Sequence, residues 1–331
     1  MSDLKIPTVK EIESARKKLG DKVRRTPVWQ WKSDAKDEIF GKETELFMKL
    51  ELFQFGGSFK CRGTLMNMFN LSDIDMERGV TAVSAGNHAI SVAYAAKTLN
   101  TNAKVVMPET ANSAKIARCK SLGAEIILVE TVHKAFEKVK EIEEQEGRHF
   151  IHPFDGPLTA MGSATVGLEL SEQVDELDAV IVPIGGGGLI AGISSLMKQI
   201  NPAIKIYGVE PEGADSMSRS FASGRPEEIE KVDTIADSLG APHAAAYSFG
   251  LARKFVDKIV KVTDAQMAET MQLLFNEMKL AVEPAGASAT AALQYHLLDE
   301  LRGKRVGIIV CGTNIDLETY YSNIKDNKQK S

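Results

Sequence analysis

Short apolar runs alternate with longer amphipathic stretches along most of this chain, and each change of rhythm falls at a polar or glycine-rich turn. That alternation predicts strands and helices taking turns, and hence a parallel sheet covered on both faces. The expected strands are 45–50, 79–83, 103–108, 124–129, 179–184, 205–210 and 305–310. The expected helices are 8–20, Lys60 through Phe69, the stretch after 84–88 up to Leu99, 113–122, 133–146, 163–173, one from Leu189, and 264–279. Thr8 with Glu11 three residues on reads as a capping box for the first helix. Residues 153–157 read as a crossing between lobes. Residues 212–245, rich in Ser, Gly and Pro, read as connecting loops, and the tail 325–331 is expected to fray.

Bulk properties narrow the class. A length of 331 residues fits one large domain or two modest ones, and a formal net charge of -5 gives no support to a nucleic-acid surface. Cys61, Cys119 and Cys311 form no CxxC pair, which points to a reducing compartment and no zinc site. The chain has no apolar run of membrane-spanning length and no apolar core near Met1, so a cytosolic protein is the expectation.

Four turns carry candidate chemistry. Lys60 follows Gly56-Gly57-Ser58-Phe59 at the expected start of a helix, where the positive end of the dipole suits a cation poorly. A solvated surface lysine is the plain alternative. With Phe53, Phe55 and Phe59 around it, the position instead reads as an amine of lowered proton affinity, able to form a Schiff base. Gly185-Gly186-Gly187-Gly188 join a strand to a helix and suit a phosphate, although a tight turn or a dinucleotide site with Glu210 as the ribose acid is also open. Ser84-Ala85-Gly86-Asn87-His88 end a strand where a carboxylate can bind. Cys311-Gly312-Thr313-Asn314 end another. Glu283, ahead of Pro284, reads as a loop acid, and His152 has no assignable partner. A nucleophilic lysine, a phosphate cradle, a carboxylate turn and a polar strand end together describe a pyridoxal phosphate site.

Taken with Gly208-Val209-Glu210-Pro211, these motifs stand in the order and approximate spacing of a known family. From about Arg25 to Asp316 the chain resembles the fold-type II pyridoxal phosphate enzymes, specifically the threonine/serine dehydratase and serine racemase group. The resemblance implies an α/β fold of two open, mostly parallel twisted sheets flanked by helices. It implies a large cofactor-binding domain, 1–78 and 157–331, with a small mobile domain, 79–156, inserted in it. It implies Lys60 as the Schiff-base lysine and the proton-transfer base. Phe59 would pack by the cofactor ring, Asn87 would meet its 3′ oxygen, and Gly185 to Gly188 with Leu189 would hold the phosphate. Cys311 would face the pyridine nitrogen. Ser84, Ala85 and Gly86, with Asn87 and His88, would receive the substrate carboxylate. A homodimer with a small amino acid as its substrate is implied as well.

Departures from the family pattern sharpen the expectation. Ala85 stands where racemases carry a second serine as acid/base opposite the lysine, so elimination is favoured over racemisation. The family's divalent cation (Mg²⁺) uses a glutamate and an aspartate six residues later. Glu210 fits, but the later position is Ser216, with Asp215 beside it. Ile90-Ser91 replaces Gln-Gly, Met161-Gly162-Ser163-Ala164-Thr165 departs from Gly-Gln-Gly-Thr, and Ser238 replaces a glycine. With the chain ending soon after Asn314, no regulatory domain and no isoleucine feedback are expected. The expected activity is therefore a lyase releasing a 2-oxo acid and ammonia from a β-hydroxy amino acid such as threonine or serine. The alternatives are a serine racemase, a 3-hydroxyaspartate dehydratase, and, from another class, a nicotinamide oxidoreductase.

Overall fold

A computed structural model describes residues 4–326. Ten strands form: β1 (Val28–Trp31), β2 (Glu45–Lys49), β3 (Val80–Val83), β4 (Ala103–Pro108), β5 (Glu125–Val129), β6 (His149–Phe150), β7 (Ala179–Pro183), β8 (Lys205–Pro211), β9 (Lys258–Val262) and β10 (Arg305–Ile309). They make a six-stranded sheet in the order β1-β2-β10-β7-β8-β9 and a four-stranded sheet in the order β5-β4-β3-β6. Only β1 against β2 is antiparallel. Central strands such as β7 and β3 are buried along their whole length and apolar on both faces, whereas β5 and β9 lie at sheet edges and keep exposed positions. The two open parallel sheets expected from the family are therefore present.

The first helix, Val9–Leu19, starts from the Thr8–Glu11 capping box. The helix expected at 163–173 begins earlier, at Pro157, because Gly156 turns the chain with a φ of 96° and proline sets the first helical position. Residues 212–245 are not all loop: a helix spans Ser216–Ser223. Its first turn is held by the Glu210 carboxylate, which accepts from Met217 N at 2.8 Å and Ser218 N at 2.7 Å. That cap comes from the preceding strand, so no local pattern announces it. The helix Ala246–Phe255 and β9 carried no expectation. Lys325 and Asp326 end a helix from Leu317, and the rest of the tail expected to fray lies outside the described residues. Among the described residues no helix is long and apolar enough to cross a membrane.

The hydrophobic core of the small sheet is not built from the small sheet alone. Cys61, Leu65, Met66 and Met68 of the helix Lys60–Met68 pack into it beside Val80, Ala82, Val105 and Met107. The same helix thus ends in the small sheet's core and begins at the cleft between the sheets.

Candidate active site

Lys60 is placed by the end of β10. Beyond β2 the chain makes two short turns, Glu51–Phe53 and Phe55–Gly57, and Ser58 bridges to Gly312. Gly56 and Gly57 have φ of 76° and 73°, and a Cβ on Gly57 would run into the Asn314 carboxamide. Phe59 N then donates to Cys311 O at 3.2 Å, and the helix starts at Lys60. Lys60 Nζ donates to the Pro153 carbonyl at 2.7 Å. Burial pulls its amine down to about 8, while Cys311 and Glu283 act in the other direction. The expected cluster of three phenylalanines does not form. Phe59 lies 5.4 Å from Nζ, but Phe53 is 42% exposed and Phe55 stacks on Tyr94. The crossing at Pro153 covers the amine, a contact 93 residues away in sequence that local composition does not show.

All nine residues assigned to the cofactor by resemblance line one recess: Phe59, Lys60, Asn87, Gly185, Gly186, Gly187, Gly188, Leu189 and Cys311. The glycine run leads from β7 into the helix Gly188–Ile200. Gly187 has a φ of 93°, while a Cβ on Gly186 would run into the Phe154 ring and one on Gly188 into the Phe154 carbonyl. The glycines therefore serve close packing as well as an exposed backbone. Among the described residues no hydrogen-bond acceptor meets the N–H groups of Gly186, Gly187, Gly188 or Leu189, and no side chain caps this helix. Free donors at a helix start suit a phosphate. Cys311 is buried, and burial holds its thiol well above the usual range, so the group is neutral. The donor set fits pyridoxal phosphate.

The carboxylate turn sits at the edge of this recess. Asn87 and His88 begin the helix Asn87–Thr98 and line the recess or the smaller chamber beside it, whereas Ser84, Ala85 and Gly86 are half-buried and line neither. Gly86 N donates to Ser84 Oγ at 3.1 Å. His88 Nε2 lies 2.8 Å from Ile151 O, and burial lowers its proton affinity to about 3, so the ring is neutral. His152 does have partners: Nδ1 accepts from Asp155 N at 2.9 Å, and its ring edge meets Phe154. Ser163, one of the departures from the family pattern, lines the chamber with His88 and His152.

Glu283 lies in a loop as expected, but it is buried rather than solvated. It stands ahead of the helix Pro284–Ala292, is 1% exposed, lines the recess, and accepts from Asn87 Nδ2 at 2.6 Å. A glutamate directly before an apolar, alanine-rich helix was the available signal, because such a helix has no solvent face on which the acid could sit. Ser238 also lines the recess and accepts from Asn87 Nδ2 at 3.1 Å.

The expected cation site is not assembled. Glu210 is fully buried and spends its oxygens on Met217 N, Ser218 N and Ser218 Oγ. Asp215 pairs with Arg219 at 2.7 Å and Lys261 at 3.2 Å. Among the described residues no three metal-ligating side chains converge. This donor set does not fit a divalent ion. The same contacts remove Glu210 as a ribose acid, and with it the dinucleotide reading of the glycine run.

A buried lysine facing a glycine-rich strand-to-helix turn, in a cleft between two mostly parallel sheets, is the arrangement of a fold-type II pyridoxal phosphate enzyme. The chain belongs to the family described as pyridoxal-phosphate dependent enzyme, which matches residues 19–312. It is 50% identical to the phenylserine dehydratase of Ralstonia pickettii over 95% of each chain. It is 38% identical to the L-threonine ammonia-lyase of Thermotoga maritima, over 94% of this chain and 76% of that one. The structure of maize serine racemase superposes with a TM-score of 0.89 at 35% identity, covering 97% of this chain and 99% of that one.

Proposed function

We propose that this protein is an ammonia-lyase that eliminates water from β-hydroxy amino acids, and that an apolar β-substituent, phenyl included, suits it best. One observation carries the reading: among the described residues Lys60 is the only cation lining the recess, and the apolar walls around it include Phe59, Phe154, Leu189 and Leu239. A second carboxylate on the substrate, as in 3-hydroxyaspartate, would find no partner among these lining residues. The 50% identity to a phenylserine dehydratase supports the same choice.

Pyridoxal phosphate, when bound, supplies the electron sink for the substrate's α-carbon. The residues of the chain do the rest. Free N–H groups from Gly186 to Leu189 would hold the phosphate. Asn87 Nδ2 would serve the 3′ oxygen, and the neutral Cys311 thiol the pyridine nitrogen. Ser84 Oγ and the backbone N–H groups of Asn87 and His88 receive the carboxylate. Lys60 Nζ, an amine that burial leaves easy to deprotonate, takes the α-proton. Ala85 offers no proton donor on the opposite side, so the proton held by Lys60 Nζ either goes back to the same face, restoring the substrate, or goes to the β-hydroxyl, which then leaves as water.

In this reading residues 79–156 form a small mobile domain beside 1–78 and 157–331, and the helix Lys60–Met68, packed into its core, moves with it. Lys115 to Asp237, and Asn112 to Asp316 at 2.7 Å, are contacts that such a movement would open. A cytosolic homodimer belongs to the same reading, and three buried, unpaired cysteines agree with a reducing compartment.

The test is a panel of phenylserine, threonine, serine and 3-hydroxyaspartate, scored for 2-oxo acid and ammonia, with chiral analysis of the recovered amino acid. Phenylserine and threonine should be eliminated with little racemisation, and 3-hydroxyaspartate should be the poorest substrate. Racemisation faster than 2-oxo acid release would give the serine racemase reading precedence.

A further inference from the structure

Of the ionisable groups lining the recess, Glu283 is the one that the steps above leave unused. Its placement is specific. Although it stands at the start of the helix Pro284–Ala292, its side chain caps nothing there and turns into the recess instead. One oxygen, Oε1, accepts from Asn87 Nδ2 at 2.6 Å, while Oε2 is buried and has no partner. A buried carboxyl oxygen left open is uncommon in a folded protein and calls for a reason. Gly312 makes room for the pair: a Cβ there would meet Glu283 Oε1 and lie 3.1 Å from Asn87 Nδ2. On the other side of the amide, Asn314 Nδ2 donates to Asn87 Oδ1 at 2.7 Å. The Asn87 amide is therefore gripped at both ends. Its second Nδ2 hydrogen is left to Ser238 Oγ at 3.1 Å, a longer bond that an incoming acceptor can displace.

We propose that Glu283 is a positioning residue for the cofactor: it fixes the Asn87 amide with Nδ2 toward the recess, and by gaining or losing its own proton it sets how strongly that N–H is offered to the cofactor's 3′ oxygen. This rests on the pyridoxal phosphate reading of the recess. The groups facing Glu283 come from five elements. Lys115 belongs to the helix Ser113–Ser121, and Asp237 and Ser238 to the turn Asp237–Leu239. Asn87 and Lys60 begin their helices, and Cys311 follows β10. Its own helix, Pro284–Ala292, contains no ionisable side chain. Burial pushes the carboxyl up to about 7, against the opposing pull of Lys115, whose charge is largely answered by its ion pair with Asp237. Below that pH the neutral carboxyl is a weaker acceptor for the first Nδ2 hydrogen, and the second is the stronger donor to the cofactor. Above it the carboxylate binds the first hydrogen tightly, weakens the second as a donor and adds negative charge beside the ring.

Bound pyridoxal phosphate reports this directly, through its visible absorbance. The wild-type holoenzyme should show a change in absorbance centred near pH 7. Glu283→Gln should abolish that transition while holding cofactor affinity within about threefold, since the amide keeps an acceptor for Asn87. Glu283→Ala should weaken affinity about tenfold, the loss expected when a buried donor is left unpaired. Gly312→Ala, which crowds Glu283 and Asn87 apart, should move or remove the transition. Superimposable pH curves for wild type and Glu283→Gln would overturn the proposal, as would a wild-type curve flat around pH 7, and in both cases the cofactor site itself would stand. A wild-type protein with no visible cofactor band would overturn the site and the proposal together.

Discussion

Two buried polar regions flank the start of the helix Lys60–Met68, and they are built in opposite ways. On one side Arg62 is fully buried, with two bonds to Glu51, at 2.9 and 2.8 Å, and two to Glu169, both at 2.9 Å. Lys49 donates to Glu169, Thr26 O and Gln173, and Arg16 adds a further ion pair to Glu169. The carboxylates of Glu51 and Glu169 have cations or hydroxyls on both oxygens. On the other side Lys60 rests on a single carbonyl, Glu283 has one oxygen open, and the Cys311 thiol is neutral. The first region spends its hydrogen bonds on holding the helix, and the second holds them back for something that arrives later. A single residue, Cys61, separates Lys60 from Arg62, so satisfaction of polar groups, more than burial or charge, separates framework from site here.

The sharpest way to break this comparison is to exchange the two roles. Lys60→Ala should reduce lyase activity by at least about 10⁴-fold, because no other amine lines the recess. It should not lower the melting temperature at pH 7, because it removes a buried amine that lacks an ion pair. A calorimetric loss of stability in Lys60→Ala would blur the distinction. Arg62→Met should do the reverse: it strands Glu51 and part of Glu169 in the core and costs about 3–5 kcal/mol, read as a lower denaturation midpoint or insoluble protein.

A smaller effect comes from Glu283. The folded protein keeps its proton up to about pH 7, whereas an unfolded glutamate loses it near 4.5. Between those values the folded state binds more protons, so this group's contribution to stability falls as pH rises. Glu283→Gln should therefore stabilise the cofactor-free protein at pH 8, by at most about 3 kcal/mol, and have little effect at pH 4. Thermal unfolding at the two pH values checks this, and equal shifts at both would count against a buried neutral acid. The finest test adds a group rather than removing one. Ala85→Ser places a hydroxyl on the carboxylate turn and should raise the ratio of racemisation to elimination by about tenfold, as chiral chromatography of recovered threonine would show.

What could be read from residues alone follows the same division. Lys60, Asn87, Gly185 to Gly188 and Cys311, which line the recess, were legible because each ends a strand or opens a helix, and such turns announce themselves within a few residues. The central strands were legible from continuous apolar runs. The burial of Glu283 had a local signal in the apolar helix after it, but its placement against Asn87 had none, since that depends on a residue 196 positions away and on the space left by Gly312. The helix Ser216–Ser223 was hidden because its cap, Glu210, belongs to another element. That displaced cap also accounts for Glu210 seeming free to bind a cation or a ribose. Phe53 and Phe55 misled in the opposite sense, being near Lys60 in sequence and turned away from it in space.

The position of β10 governs how this protein is made as well as how it is built. It lies between β2 and β7, and neither of those strands pairs with the other. As the chain leaves the ribosome from its N-terminus, β1 with β2 and β7 with β8 and β9 can exist only as two open fragments, each showing an unpaired edge. Residues 305–309 close both edges at once and carry Cys311 to Lys60. Nascent chains halted before that strand should therefore be prone to sticking and unable to hold the cofactor, and chaperone demand should last until residues 305–309 emerge.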